Sequence, residues 1–223
     1  MHPTNDCAVI RNNRPEMCAF LPAHYARVLE IGCDTGNFAA NLSAETWGVE
    51  PAPGPASVAA SRLHKVLVGT FDAVHDELPL GYFDLVVCND VIEHMPDHHR
   101  FLRAIRDHMT PDGVLVGSIP NIRHYRTLFD MLLLKDWKYR DSGIMDRTHL
   151  RFFTERSLRR DLTDAGFRIE QFQGINGGMR RMQFGLAGNQ LPRALFGCML
   201  LLLSLGAWRD ILAVQFGFRV SLA

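Results

Sequence analysis

One string near the start of the chain narrows the choice of folds sharply: Val28-Leu29-Glu30-Ile31-Gly32-Cys33-Asp34-Thr35-Gly36-Asn37-Phe38. The short apolar run Arg27 to Ile31 reads as a buried strand, a glycine-bearing turn follows, and Asn37 to Ser43 reads as helix. The rest of the chain repeats this strand–turn–helix rhythm, the signature of a parallel α/β sheet. Thr46 to Glu50, Lys65 to Gly69, Phe83 to Cys88, Val114 to Ile119 and Phe167 to Phe172 read as further strands. Ala56 to Leu63, His99 to Met109 and Thr154 to Ala165 read as helices. Ala213 to Leu222 alternates enough to close the sheet at its edge. A chain of 223 residues suffices for one such domain with a real core, and residues 1–223 are read as a single domain. Residues 121–152, rich in Arg, His, Tyr and Trp, break the rhythm and read as a lid or substrate-binding insertion.

The glycines of the first turn let the backbone approach a ligand closely, and a helix N-terminus after them presents free N–H groups. Glu50 ends the second strand, where a carboxylate can accept both hydroxyls of a ribose. Together these residues follow the nucleoside-binding logic of a Rossmann-like sheet. The loop is Gly32-x-x-x-Gly36 rather than Gly-x-Gly-x-x-Gly, which argues against NAD. Charge removes another class: Lys plus Arg is 24, Asp plus Glu is 24, and the net charge is zero. A non-specific nucleic-acid binder needs a basic surplus to displace counterions. Cysteines at 7, 18, 33, 88 and 198 are odd in number and include no Cys-x-x-Cys. That pattern argues against a disulfide framework or zinc module, and for a reducing cytoplasm. The first residues lack the basic and apolar regions of a signal peptide.

Four blocks in order resemble the class I S-adenosylmethionine-dependent methyltransferases: VLEIGCDTGNF at 28–38, WGVEP at 47–51, FDLVVCNDVIEHMPD at 83–97 and PDGVLVGSIPN at 111–121. The resemblance runs from about Arg14 to Phe172. It implies an α/β, Rossmann-like, seven-stranded, mostly parallel sheet in the order 3-2-1-4-5-7-6, with strand 7 antiparallel and helices on both faces. It also implies S-adenosyl-L-methionine bound across the carboxyl ends of strands one, two and four. On that resemblance Glu30, Gly32 and Gly36, with Cys33 and Asp34 in the same turn, frame the methionine portion. Glu50 holds the ribose, Pro51 lies against the adenine, Thr70 and Phe71 contact its edge, and Asn89 and Asp90 sit near the methionyl end. Asp34 departs from the family, which commonly has glycine there. Asp tolerates left-handed backbone, so the loop is expected to form, while its carboxylate is expected to weaken cofactor binding.

The stretch Gly143 to Thr154 resembles a string found in bacterial methyltransferases associated with glycan assembly, and its Thr-His pair resembles quinone-ring O-methyltransferases. The resemblance implies methyl transfer to a hydroxyl of a small molecule, with a sugar or glycan-linked acceptor first and a quinone or phenolic product second. A catalytically silent methyltransferase-like binding domain, favoured only by Asp34, is the alternative from another class. A hydroxyl nucleophile gains from a base, and histidine suits that task near neutral pH. His149 is the first candidate and His94, just after strand four, the second; the bland readings are a histidine tying lid to sheet and a helix-cap residue. Asp146 is expected to orient His149, and Arg147 and Tyr125 to hold a phosphate or sugar hydroxyl. His94, His98 and His99 lie close together, but Pro96 breaks their helical register and no His-Glu-x-x-His is present. A solvated helix start is expected there, and no metal ligands are assigned.

Aromatic and basic residues mix in the insertion as they do in single-strand nucleic-acid sites. With no net positive charge, a small-molecule substrate and no nucleic-acid partner are expected. Ala194 to Trp208 runs fifteen residues without a charge, short of the roughly 20 that span a bilayer. The apolar segment at about 190–212 is expected to pack on the domain or form a homodimer contact, with membrane contact disfavoured.

Overall fold

The computed structural model describes residues 14–39, 42–177, 191–205 and 208–223. The strands are β1 (Arg27–Ile31), β2 (Glu45–Glu50), β3 (Lys65–Val68), β4 (Phe83–Asn89), β5 (Met109–Pro120), β6 (Phe167–Ile175) and β7 (Gln215–Leu222). They form one sheet in the order β3-β2-β1-β4-β5-β7-β6. β1 to β5 pair in parallel, and β7 inserts antiparallel between β5 and β6. This is the order that the family resemblance implied.

β1 and β4 are apolar almost throughout because both of their faces are covered. Alternation sends Val28, Leu85 and Val87 to one side, where Met17, Phe20 and Phe38 meet them. It sends Leu29, Ile31, Val86 and Cys88 to the other, against Phe71, Phe101 and Leu162. A Cβ at Gly217 would stand 2.5 Å from Phe20 Cζ, so that strand glycine makes room for the ring of the 3-10 helix Pro15–Phe20.

The helices are α1 (Pro53–Ala59), α2 (Phe71–Val74), α3 (His98–His108), α4 (Tyr125–Leu132), α5 (Glu155–Asp164) and α6 (Leu191–Leu203). α3 begins at Asp97, whose side chain accepts the Arg100 N–H at 2.9 Å. α5 begins with a reciprocal cap between Thr154 and Ser157 and stops before Gly166, where φ is 84°.

Of the stretch 37–43, residues 37 and 38 are turn, Ala39 is 3-10 helix and residues 42 and 43 are bend, while residues 40 and 41 of the expected helix lie outside the described residues. Phe38, Ala39 and Leu42 are buried. One expectation about elements is corrected. β5 begins at Met109, earlier than Val114, because Pro111-Asp112-Gly113 is carried into the strand. Phe83 pairs with Met109 and Leu85 with Val114, so a register shift absorbs the extra residues.

The insertion at 121–152 contains α4 and is otherwise irregular. Asn121 roots it, its amide donating to the Asp210 and Ala213 carbonyls at 2.8 and 3.0 Å. α6 packs one side on α4 through Phe129 against Phe196, ring centroids 5.6 Å apart, and through Arg193 to Asp130 at 2.7 Å. Leu195, Met199, Leu202 and Leu203 on its other side are exposed. The packing expectation therefore holds for one face of this helix. Residues 178–190 and 206–207, part of the apolar C-terminal region, lie outside the described residues. Among the described residues no helix is long and apolar enough to cross a membrane. Cys33, Cys88 and Cys198 carry free thiols.

Candidate active site

β1, β2 and β4 end on the same edge of the sheet, and a cavity of about 470 Å³ opens there. Gly32, Glu50, Pro51, Thr70, Phe71 and Asp90 all line it. Gly32 has φ 68°, and a Cβ there would stand 2.7 Å from Val91 Cγ2, so glycine is required on both counts. Asp34 takes φ 48° with its residue exposed, and the loop forms as its left-handed tolerance predicts. Glu50 is buried; its Oε2 accepts the Asp34 N–H and its Oε1 the Ala52 N–H, both at 2.9 Å. One carboxylate thus ties the glycine loop to the end of β2 and keeps lone pairs for further donors.

Other expected cofactor residues shape the cleft from behind. Glu30 is buried beneath the turn, accepts the Ala39 N–H at 3.2 Å, and has its carboxyl pushed up to about 8 by burial. The Cys33 side chain packs with Ala39, Ala59 and Leu63 and does not line the cavity; burial pushes its thiol up to about 12. Gly36, at φ 73°, lies against Ala59 and Leu63. Asn89 ends β4 with both amide atoms buried and unpartnered. Phe71 serves the core as well as the cavity wall, its ring edge-on to Phe101 with centroids 5.0 Å apart.

A second cavity, of about 260 Å³, shares Asp90 and His94 with the first. Asp90 is the partition. It sits at φ 55° and is held by Arg14 at 2.6 Å, Ser118 Oγ at 2.8 Å and the Gln215 amide at 2.7 Å. Beyond it lie Glu93, His94, Asp146 and His149. The His94 and His149 rings are 4.9 Å apart. His149 bonds through Nδ1 to the Ile144 carbonyl at 3.0 Å, and His94 through Nδ1 to the Thr148 carbonyl at 3.1 Å. A carbonyl only accepts, so each Nδ1 carries the proton and each Nε2 is left as the free ring nitrogen. Burial lowers the pKa of His149. Glu93 is 1% exposed, neither carboxylate oxygen has a hydrogen-bond partner, and burial raises its pKa well above the usual carboxylate range.

Asp146 does not orient His149 by a hydrogen bond. Its Oδ1 instead accepts the N–H and hydroxyl of Thr148 at 2.8 and 2.6 Å, bonds that hold its pKa down. The carbonyl of Ile144 has the orienting role. The expected substrate residues also move. Tyr125 is buried in the cluster between α4 and α6, and Arg147 stands on the surface paired with Asp141. Arg126, Arg140 and Arg193, with Asp130, line a third cavity of about 320 Å³. It adjoins the second through Gly143, Ile144 and Val214. His98 is not solvated: it is buried, and its Nε2 pairs with Asp161 of α5 at 3.2 Å, away from His94.

A family model described as a methyltransferase domain matches residues 8–171. The chain belongs to this methyltransferase-domain family. It is a class I S-adenosylmethionine-dependent methyltransferase, with S-adenosyl-L-methionine as its cofactor. A ubiquinone biosynthesis O-methyltransferase from Azorhizobium caulinodans is 30% identical over 170 residues, covering 69% of this chain and 63% of that protein. The chain thus spans less than two thirds of that relative. A protein of the same name from Acinetobacter baylyi is 22% identical over 174 residues, covering 73% of this chain and 72% of its own. A SAM dependent methyltransferase from Archaeoglobus fulgidus shares the fold at TM-score 0.62 and 18% identity, over 87% of this chain and 85% of that one. The cleft of this methyltransferase fits the cofactor on its own terms, since Gly32 lines it without a side chain and Glu50 brings a buried carboxylate to the same wall.

Sequence reading missed Glu93 and the three arginines. Glu93 stood in plain view beside His94, and its only signal was a carboxylate following the apolar pair Val91-Ile92. Arg193 lay at the edge of an apolar run and reaches the site only through the α4–α6 packing.

Proposed function

We propose that this methyltransferase moves the methyl group onto a hydroxyl of a small acceptor lodged in the second and third cavities. The observation that carries this reading is the shared wall: His94 borders both the cofactor cleft and the second cavity, with His149 beside it. S-adenosylmethionine, when bound, supplies the methyl group. Gly32, Glu50, Pro51 and Thr70 hold it, and the displacement itself needs chiefly alignment. The acceptor hydroxyl is activated at His149 and His94, whose Nε2 lone pairs are fixed by the carbonyl bonds at Nδ1.

The names of the curated relatives favour a phenolic or quinol acceptor over the glycan-linked one expected first. A second reading, a sugar bearing a phosphate, is favoured by Arg126, Arg140 and Arg193 around the single Asp130. Release of S-adenosylhomocysteine with a panel of catechols, quinols and sugar phosphates tests both. Turnover with a phenolic acceptor and not with sugar phosphates bears the proposal out. The reverse pattern favours the phosphate reading, and cofactor binding without turnover on any hydroxyl favours the silent binding domain.

A further inference from the structure

We infer that the third cavity is a phosphate subsite, in which Arg126, Arg140 and Arg193 hold a phosphate carried by the acceptor while its hydroxyl meets His94 and His149 in the second cavity. This assignment rests on the reading of these cavities as the acceptor site, and a phenol and a sugar can each carry such a group. The three guanidinium groups come from α4, from the irregular part of the insertion and from α6, and converge on about 320 Å³ of space. Asp130 is the one carboxylate among the described residues that line it. His124, in the same lining, has its pKa pushed down to about 4 by burial and stays neutral. Three positive charges against one negative leave a surplus of two, in a chain whose net charge is zero. A phosphate monoester carries about −1.5 to −2 charges near pH 7 and matches that surplus, whereas a carboxylate brings only one.

The arginines are set in place by the protein itself. Asp130 Oδ1 accepts from Arg193 Nε at 2.8 Å, with Arg193 Nη2 2.7 Å away, and its Oδ2 accepts from Arg140 Nη2 at 3.2 Å. Arg193 also lies over the Phe129 ring, 5.1 Å from its centroid, and its side chain is only 22% exposed. A guanidinium has five N–H donors, so these pairings leave N–H groups on both arginines for a further oxyanion. Arg126 has no ion pair among the described residues; its Nε donates to the Tyr125 hydroxyl at 3.1 Å, and its ends remain for a ligand. Forked guanidinium donors suit the oxygens of a phosphate better than a point charge does.

The same loop serves both cavities. Gly143, Ile144 and Val214 belong to the lining of each. The Arg140 N–H donates to the Met145 carbonyl at 2.8 Å and its carbonyl accepts the Arg147 N–H at 3.0 Å, while the Ile144 carbonyl fixes His149. A Cβ at Gly143 would meet nothing within 4 Å, so the space beside this shared wall is open. A phosphate seated on the arginines takes no part in the transfer; it delivers the hydroxyl to the histidines.

The test is calorimetry on protein saturated with S-adenosylhomocysteine, with glucose 1-phosphate, dihexanoylphosphatidic acid and benzoate as probes. At least one phosphate is expected to bind with a Kd below about 10 mM, more tightly than benzoate. Arg126→Gln and Arg193→Gln are each expected to weaken it at least about tenfold. Arg168→Gln, on β6 beside Glu170 and 71% exposed, leaves it unchanged. No binding of either phosphate, benzoate binding as tightly, affinity that survives both variants, or loss in Arg168→Gln overturns the subsite. If Arg193→Gln fails to fold, Arg126→Gln, at an exposed position, decides alone. Tighter binding of glucose 1-phosphate points to a water-soluble acceptor and tighter binding of phosphatidic acid to a lipid-borne one, and both bear the subsite out. Release of S-adenosylhomocysteine from a phenol without any phosphate binding removes the subsite and spares the hydroxyl-methylation reading. Arginine-dependent phosphate binding without turnover on any hydroxyl does the reverse.

Discussion

At the scale of single residues, Glu50 does two jobs that a substitution separates. Its carboxylate closes the glycine loop through the Asp34 and Ala52 N–H groups and faces the cleft. Glu50→Ala is expected to weaken S-adenosylmethionine binding by roughly 10- to 100-fold, the worth of one or two hydrogen bonds to a charged group. Calorimetry checks this, and unchanged affinity contradicts the site. Gly32→Ala is expected to abolish measurable cofactor binding, because its Cβ would press on Val91 at a φ of 68°. Both residues were legible in the sequence because strand ends and glycine turns have fixed spacing. Cys33 was not, since whether a turn residue points in or out depends on the packing of Ala59 and Leu63 against it. The acceptor side was harder still. Asp146 lines the second cavity but bonds Thr148 rather than His149, while Arg147 pairs with Asp141 on the surface and Tyr125 is buried in the α4–α6 cluster.

At the scale of elements, the insertion is held by the packing of α6 on α4. Phe196 is buried against Phe129 while Leu202 is 76% exposed. Phe196→Ala should cost about 3 kcal/mol by denaturant unfolding, and Leu202→Ser less than about 0.5 kcal/mol. Equal effects would mean that α6 packs by its other face. His124, at the start of α4, is buried, and burial first and Arg126 second lower its pKa from 6.5 to about 4. Between those values the unfolded chain binds a proton that the folded chain refuses. Stability contributed by neutral His124 is therefore lost as pH falls from 6.5 toward 4, by at most about 3 kcal/mol. Glu30 opposes it: its raised pKa favours folding at low pH, a gain lost as pH rises from 4.5 through about 8. The comparison of His124→Gln with the parent protein isolates the histidine. The variant's urea-midpoint curve should be flatter below pH 6.5, and parallel curves would contradict the assignment.

For the whole molecule, strands buried on both faces read directly from the sequence as apolar runs, which is why β1 and β4 fall where expected. The order of the sheet, with β7 between β5 and β6, came from the family resemblance, since no local pattern states which strands are neighbours. The start of β5 was misread because Pro-Asp-Gly means something different once the register is set. What the assembled sheet adds is adjacency: Gly32, Glu50 and Asp90 from three strand ends, and the neighbours Glu93 and His94 with the sequence-distant His149, meet across one partition. The central claim is that this edge binds S-adenosylmethionine for methyl transfer. Titration of S-adenosylhomocysteine into the parent protein and Glu50→Ala tests it most directly. Micromolar affinity, about 8 kcal/mol, weakened in the variant, is the predicted result; no heat from the parent protein at millimolar ligand would contradict it.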